Sequence, residues 1–204
     1  MKAGPGTNAP CTRPVGDARE ERPFACSRRS PFGPVAILWS VHGGRPFVMR
    51  VLLSRPGAAA DGLVRPLFPG IAEASCPEID AVADLIGAFL EGGDIRFSLD
   101  VVRMDLASAF QRRVLEAEHA IPRGSVSTYG RIASHLGIPS GARAVGTALA
   151  TNPFPIIVPC HRSVRSDGML GGFQGGLAMK AALLRMEGVS VAEKGRVEDA
   201  IFHY

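Results

Sequence analysis

The sequence predicts an α+β protein: a small N-terminal α/β-type domain built on an antiparallel sheet, then a mainly helical C-terminal domain that carries a helix-turn-helix. Three observations predict it. Two apolar runs flank the paired glycines of "HGGR". A helical apolar period follows in "EIDAVADLIGAFLEGG". From Asp105 onward the pattern is again helical, interrupted by proline and glycine. The chain has 204 residues and is 46% hydrophobic, enough to bury a core without disulfides or metals.

Taken in order, residues 1–30 scatter Pro, Gly, Arg and Ser with little apolar period, which predicts a disordered or loosely attached leader with Cys11 and Cys26 as bystanders. The N-terminal domain is expected over residues 31–104. Val35 to Val41 reads as a strand, "HGGR" as a turn whose glycines supply positive φ, and Phe47 to Leu53 as the returning strand. A loop rich in Gly, Ala and Pro follows. Ile79, Val82, Leu85, Ile86 and Phe89 share one helical face, which Gly92 and Gly93 end. "IRFSLDVV" reads as another short strand. The C-terminal domain is expected over residues 105–190. It opens on a helix with Leu106, Phe110, Val114 and Leu115 on one face, broken by "PRG". Residues 191–204 are expected to be a short charged tail. No internal repeat is visible.

Charge and cysteine usage narrow the function classes. A formal charge of +4 permits a polyanionic partner without demanding one. Cys11, Cys26, Cys76 and Cys160 form no CxxC pair and no zinc-finger spacing. Cys11, Cys26 and His42 make no convincing ligand set, so no metal is expected. No apolar run approaches the ~20 residues of a membrane helix. No secretory signal is visible, and Asp17, Glu20 and Glu21 argue against a transit peptide. The expectation is a soluble protein of a reducing, cytoplasmic compartment.

"STYGRIASHLGIPSGARAVGTALATNP" reads as helix, turn, helix. Tyr129 to Leu136 forms the first helix, with Gly137 as its left-handed cap and Pro139 barring continuation. Ser140 is the expected N-cap of the second helix, and Asn152-Pro153 closes it. Ala142, Val145 and Leu149 are spaced to pack inward. Gly141, Ala144, Gly146 and Ala148 leave the rest of the surface almost bare. Such a surface serves tight helix–helix packing, or entry into a DNA minor groove only ~6 Å wide. Arg143 is the one long charged side chain early in that helix.

"IIVPCHR" carries the chemistry. Val158 stays extended before a proline, and Pro159 cannot continue a strand ladder, which puts Cys160 at a strand end. A free thiol, with pKa near ~8.5, needs a base to react with a poor electrophile. His161 is adjacent, but neighbours on a strand face opposite ways, so direct contact requires a turn or a bridging water. Glu187, ending "LAMKAALLRMEG", is the candidate carboxylate to orient it. On these residues alone, a buried inert cysteine stands beside a nucleophile.

The motifs together resemble the O6-alkylguanine-DNA alkyltransferases (methylated-DNA–protein-cysteine methyltransferases). "PCHR" with "NPFPIIV" before it and "GGFQGGLAMKAALLRMEG" after it is similar to that family, as are "IPRGSVSTYGRIASHLG" and "GARAVGTALATNP". The resemblance runs from about Phe110 to Gly188, and "FGPVAILWS" resembles the start of the family's N-terminal domain. It implies a winged-helix-like DNA-binding element and irreversible, single-turnover alkyl transfer from a flipped-out guanine in double-stranded DNA. It implies that Cys160 accepts the alkyl group, His161 acts through a water, Glu187 orients His161, and Asn152 holds the turn. Tyr129 would help rotate the nucleotide and bond the guanine ring. Arg143 would fill the stack. Pro155 and Phe173 would line the pocket, with backbone near Ser163 and Gln174 reading the guanine edges. Gly141, Ala142, Ala144 and Gly146 would face the groove. No cofactor is implied, and a monomer without membrane attachment is expected.

Three residues depart from the family pattern. Phe173 stands for a tyrosine and loses a hydroxyl. Gln174 stands for a smaller residue and is expected to narrow the pocket. Leu115 stands where a tryptophan is common. Two rivals remain at this stage: a non-transferring DNA lesion sensor or regulator, against which Cys160 counts, and a cysteine hydrolase, against which the adjacency of Cys160 and His161 counts.

Overall fold

The computed structural model describes residues 22–204. Residues 1–21 of the expected leader, including Cys11, lie outside the described residues. Strands β1 (Phe24–Arg28), β2 (Val35–His42), β3 (Arg45–Leu53) and β4 (Ala72–Glu73) form one sheet in the order β3-β2-β1-β4. The β1–β2 and β2–β3 pairs are antiparallel, and the short β1–β4 pair is parallel. Gly43 and Gly44, at φ 57° and 77°, make the two-residue turn between β2 and β3. Strand β1 and its Cys26 fall inside the stretch expected to be leader. Phe24 stacks on Trp39 with ring centroids 4.9 Å apart, and the full length of β1 pairs with β2. A five-residue strand leaves too little alternation to be read beside a polar stretch.

β2 is buried on both faces, which explains its unbroken apolar run. Val35, Ile37 and Trp39 join a main core with Val51, Leu53 and helix α2 (Pro77–Leu90). Ala36 and Leu38 join a smaller core with Ala25, Leu52 and helix α1 (Ala60–Leu67). Helix α1 occupies the stretch expected to be a loop. Its apolar residues Ala60, Leu63, Val64 and Leu67 fall at helical spacing, but the helix is two turns long and contains Pro66, so the stretch reads as a loop. Leu85 of α2 is 41% exposed rather than inward. The α2 core face is Ile79, Val82, Ala83, Ile86, Phe89 and Leu90. "IRFSLDVV" is not a strand: Ser98 caps a 3₁₀ turn over Leu99–Val101, and only an isolated bridge joins Val102 to Val48.

In the C-terminal part, the Ser108 hydroxyl accepts from the Gln111 N–H and so starts helix α3 (Ala109–Ala120). Leu106 therefore stands outside the helix and is exposed. Strand β5 (Ser125–Thr128) leads into helices α4 (Tyr129–His135) and α5 (Ala142–Ala150). Strand β6 (Ser163–Val164), helix α6 (Leu177–Met186) and strands β7 (Ser190–Val191), β8 (Val197–Glu198) and β9 (Ile201–Phe202) complete the chain. β6, β5 and β9 form a parallel sheet with β5 in the middle. The expected tail is thus ordered. β7 pairs with β8, β9 pairs with β5, and the Tyr204 hydroxyl donates to the Ala117 carbonyl at 2.9 Å. β7 and β8 are only two residues each, and the partners of β9 and Tyr204 lie far upstream, so no local period announces them.

The two parts share one core, which runs from Trp39 and Ile86 through Leu115 to Cys160. The outer edge of β3 is covered. The Val51 N–H donates to the Pro153 carbonyl at 2.8 Å and the Leu53 N–H to Gln174 Oε1 at 2.7 Å. Among the described residues, no helix is long and apolar enough to cross a membrane. Arg123 clamps the far side, donating to the carbonyls of Gly93 at 2.9 Å, Gly92 at 3.0 Å and Met186 at 2.9 Å. Arg123→Ala removes all three bonds. It should lower unfolding stability by about 1–3 kcal/mol in a urea titration; an unchanged midpoint would show that the clamp is idle.

Candidate active site

Cys160 is presented by a loop, not by a strand end. Asn152 organises that loop: its Oδ1 accepts from the Phe154 N–H at 2.9 Å and its Nδ2 donates to the Val158 carbonyl at 3.1 Å. The Val158 N–H closes back on the Phe154 carbonyl at 2.8 Å. Ile156 is held at φ 76° although it is β-branched and buried. Such a conformation costs about 1–3 kcal/mol and persists only where the surroundings impose it. Here they are the Asn152 bonds and the burial of Phe154 and Ile157. The expected extended run is therefore bent. Cys160, His161 and Arg162 then form a 3₁₀ turn.

The turn lets Cys160 and His161 serve one site while facing different neighbours. His161 is fully buried between Phe89 and Phe173, with ring centroids 5.8 Å and 6.1 Å away. Its Nε2 lies 3.0 Å from Glu187 Oε1. Arg162 holds the same carboxylate in a fork, Nε to Oε2 at 2.9 Å and Nη2 to Oε1 at 2.7 Å, while its Nη1 donates to the Ile121 carbonyl at 2.6 Å. Burial opposes ionisation of Glu187, but the bonds and charges of His161 and Arg162 prevail and pull its pKa down to about 2. An ionised carboxylate only accepts, so His161 Nε2 carries the hydrogen and Nδ1 is left as an acceptor. Nδ1 is buried and has no hydrogen-bond partner among the described residues. Burial lowers the His161 pKa, against the pull of Glu187, so the ring rests neutral.

Cys160 is 9% exposed. Burial pushes its thiol up to about 11, against a hydrogen bond from Asn152. The resting sulfur is therefore protonated, and reaction requires a base. Two further ionisable groups lie in the same interior. Lys180 of α6 donates to the Ser163 carbonyl at 2.6 Å and the Gly171 carbonyl at 3.2 Å. Glu118 of α3 accepts from the Ser163 hydroxyl.

Tyr129 starts α4 half-buried, with its hydroxyl against Gly171; a Cβ there would overlap it. Pro155 is buried in the Asn152 loop. Phe173 stacks edge-on to His161 and joins the core without needing a hydroxyl. Gln174 does not narrow a pocket: its side chain is committed to Leu53 of β3. Leu115 is fully buried in the core. Among the described residues, no three His, Cys, Asp or Glu side chains gather as a metal-binding group.

Helices α4 and α5 pack as the expected pair. Gly137 has φ 78°. The N-cap of α5 is Gly141, not Ser140, because the chain turns too tightly there: a Cβ on Gly141 would strike Ile138. The inward face is Val145, Ala148 and Leu149, so Ala148 belongs to the core and not to the bare surface. Arg143 and Ala144 are exposed, and Ala142 and Gly146 are half-buried. A Cβ on Gly146 would meet nothing. Among the described residues, packing therefore gives no reason for the glycine.

Residues 109–189 match the family model described as 6-O-methylguanine DNA methyltransferase, DNA binding domain. Over 113 residues the chain is 45% identical to the methylated-DNA–protein-cysteine methyltransferase of Methanothermobacter thermautotrophicus, covering 55% of this chain and 63% of that protein, less than two thirds of its length. The crystal structure of Mycobacterium tuberculosis O6-methylguanine methyltransferase aligns at 32% identity with a TM-score of 0.64, covering 81% of this chain and 92% of that one. This chain belongs to the O6-methylguanine-DNA methyltransferase family. The M. tuberculosis protein in complex with DNA aligns equally well, with a TM-score of 0.64 at 31% identity over 81% of this chain and 93% of that one.

In this methyltransferase-family chain, sequence reasoning left Arg162, Lys180, Glu118 and Gly171 without roles. Arg162 sits beside Cys160 and His161 in "PCHR", so its signal is local. Lys180 and Glu118 look like ordinary helix-surface charges, and only packing shows them buried. The Glu187 carboxylate supplies a test. Glu187→Gln leaves Arg162 buried without a counter-charge, and urea unfolding at neutral pH should show a loss of roughly 3–5 kcal/mol. The Glu187 pKa is depressed on folding. Its contribution is complete above the ordinary carboxylate range and is lost as pH falls toward about 2. The gap between the two proteins should narrow across that window; a gap independent of pH would contradict the assignment.

Proposed function

We propose that this protein repairs double-stranded DNA by removing the alkyl group of O6-alkylguanine onto its own Cys160, once per molecule. The observation that carries the reading is the buried Cys160, His161, Glu187 arrangement beneath a helix pair with an open, glycine-bearing face. The family membership supports it, as does the DNA bound by the M. tuberculosis relative.

Each residue has a role in this reading. Gly146, Ala142 and Ala144 let α5 approach the floor of the minor groove, with Gly141 shaping the turn before it. Arg143 fills the gap left when the damaged nucleotide swings out, a step that costs a few kcal/mol and less for a poorly paired base. Tyr129 bonds the everted ring. Pro155 and Phe173 flank it, and the backbone at Ser163 and Gln174 reads its edges. His161 Nδ1 takes the thiol proton through a water, while Glu187 holds the ring in the required tautomer. The sulfur displaces guanine from the alkyl carbon: the S–C bond forms, the C–O6 bond breaks, and the proton ends on the guanine. The thioether has no route back. The protein acts as a monomer on its DNA partner.

Incubation with duplex carrying O6-methylguanine should add one methyl group in place of the thiol hydrogen, located on Cys160 by peptide mass. Cys160→Ala should show no gain. A wild-type protein that stays unmodified while the lesion persists would refute the reading. Gly171→Ala pushes the Tyr129 hydroxyl aside with little strain on the backbone. It should slow single-turnover transfer by about tenfold to a hundredfold while leaving the unfolding midpoint near that of wild type.

A further inference from the structure

One buried carboxylate takes no part in the roles above. Glu118 is 0% exposed, as is Lys180, and the two approach Ser163 from opposite helices. Lys180 Nζ donates to the Ser163 carbonyl, and the Ser163 hydroxyl donates to Glu118 Oε2. Glu118 Oε1 is buried with no hydrogen-bond partner among the described residues. This polar cluster lies directly after the reactive turn, since Ser163 follows Arg162. A buried, half-satisfied carboxylate costs stability, and its bond to the residue that directly follows the reactive turn supplies a function for it.

We propose that Glu118 is a positioning residue of the transfer site, whose carboxylate, acting through Ser163 and against Lys180, opposes formation of the Cys160 thiolate. The inference rests on the alkyl-transfer reading. The charged and titratable groups around Glu118 are Arg162 from the reactive turn, Lys180 from α6, Cys160, Tyr129 from α4 and Tyr204 near the end of the chain. At Cys160, the charge of Glu118 disfavours the thiolate and that of Lys180 favours it. Burial raises the Glu118 pKa to about 7, against the Ser163 hydrogen bond and the charges of Lys180 and Arg162. Burial likewise lowers Lys180 to about 8. Below neutrality Glu118 is protonated and the ammonium acts alone on the sulfur. Above neutrality the carboxylate cancels it. Removing the carboxylate also loosens the Lys180 proton. That trims the gain without reversing it, because one whole negative charge outweighs a partial loss of positive charge.

The test is the single-turnover transfer rate of Glu118→Gln relative to wild type, measured with methylated duplex from pH 6 to pH 8. The ratio should rise about threefold across that range, since a thiolate favoured by one nearby charge also becomes a weaker nucleophile. Ser163→Ala is the second variant. It removes the bond that favours the ionised carboxylate, so the pH at which Glu118 begins to slow transfer should move upward. A ratio flat or falling with pH, or a Ser163→Ala profile that coincides with wild type, overturns the inference. Failure of the wild-type protein to take up the methyl group at any pH would instead overturn the alkyl-transfer reading itself.

Discussion

The structure turns on the Glu187 carboxylate, buried and shared between His161 and Arg162. A carboxylate in such a place is expensive unless every lone pair is used. Arg162 meets that demand with two bonds and ties the assembly to the end of α3 through Ile121. With Glu187 held ionised, the tautomer of His161 follows without further contacts. The hydrogen on His161 is therefore placed by the ion pair of Glu187 with Arg162.

The surrounding fold keeps this arrangement in register. Glu187 ends α6, His161 and Arg162 sit in the turn after Pro159, and Ile121 ends α3, so three elements must dock correctly before the carboxylate is satisfied. The N-terminal sheet contributes from behind. β3 binds the loop after α5 at Pro153 and the loop before α6 at Gln174, so both segments flanking the reactive turn hang on one strand. The N-terminal part is thus a brace for the site as well as a separate layer.

Strain and openness are placed where they serve. Ile156 is forced into the left-handed region within the loop that Asn152 staples, and Cys160 follows four residues later. Gly146 lowers helix stability at a position where none of the described residues would meet a side chain. Of the four buried side-chain atoms without a partner among the described residues, Arg28 Nε, Ser40 Oγ, Glu118 Oε1 and His161 Nδ1, the last belongs to the Cys160 turn and Glu118 bonds Ser163 directly after it.

Legible in the residues alone are the helices with a clear apolar period, α2 and α3, and the β2–β3 hairpin with its paired glycines. So are the helix pair with a bare face and the Cys160–His161 dipeptide that marks the site. These are local signals, carried by spacing within a few turns of chain. Three-dimensional contacts bend the run before Cys160 at Ile156, tie Gln174 to β3 and join the last residues to β5. They also bury Glu118 and Lys180, indistinguishable in sequence from surface charges, around Ser163. Contacts between segments far apart in the chain leave no period behind, so packing had to select them.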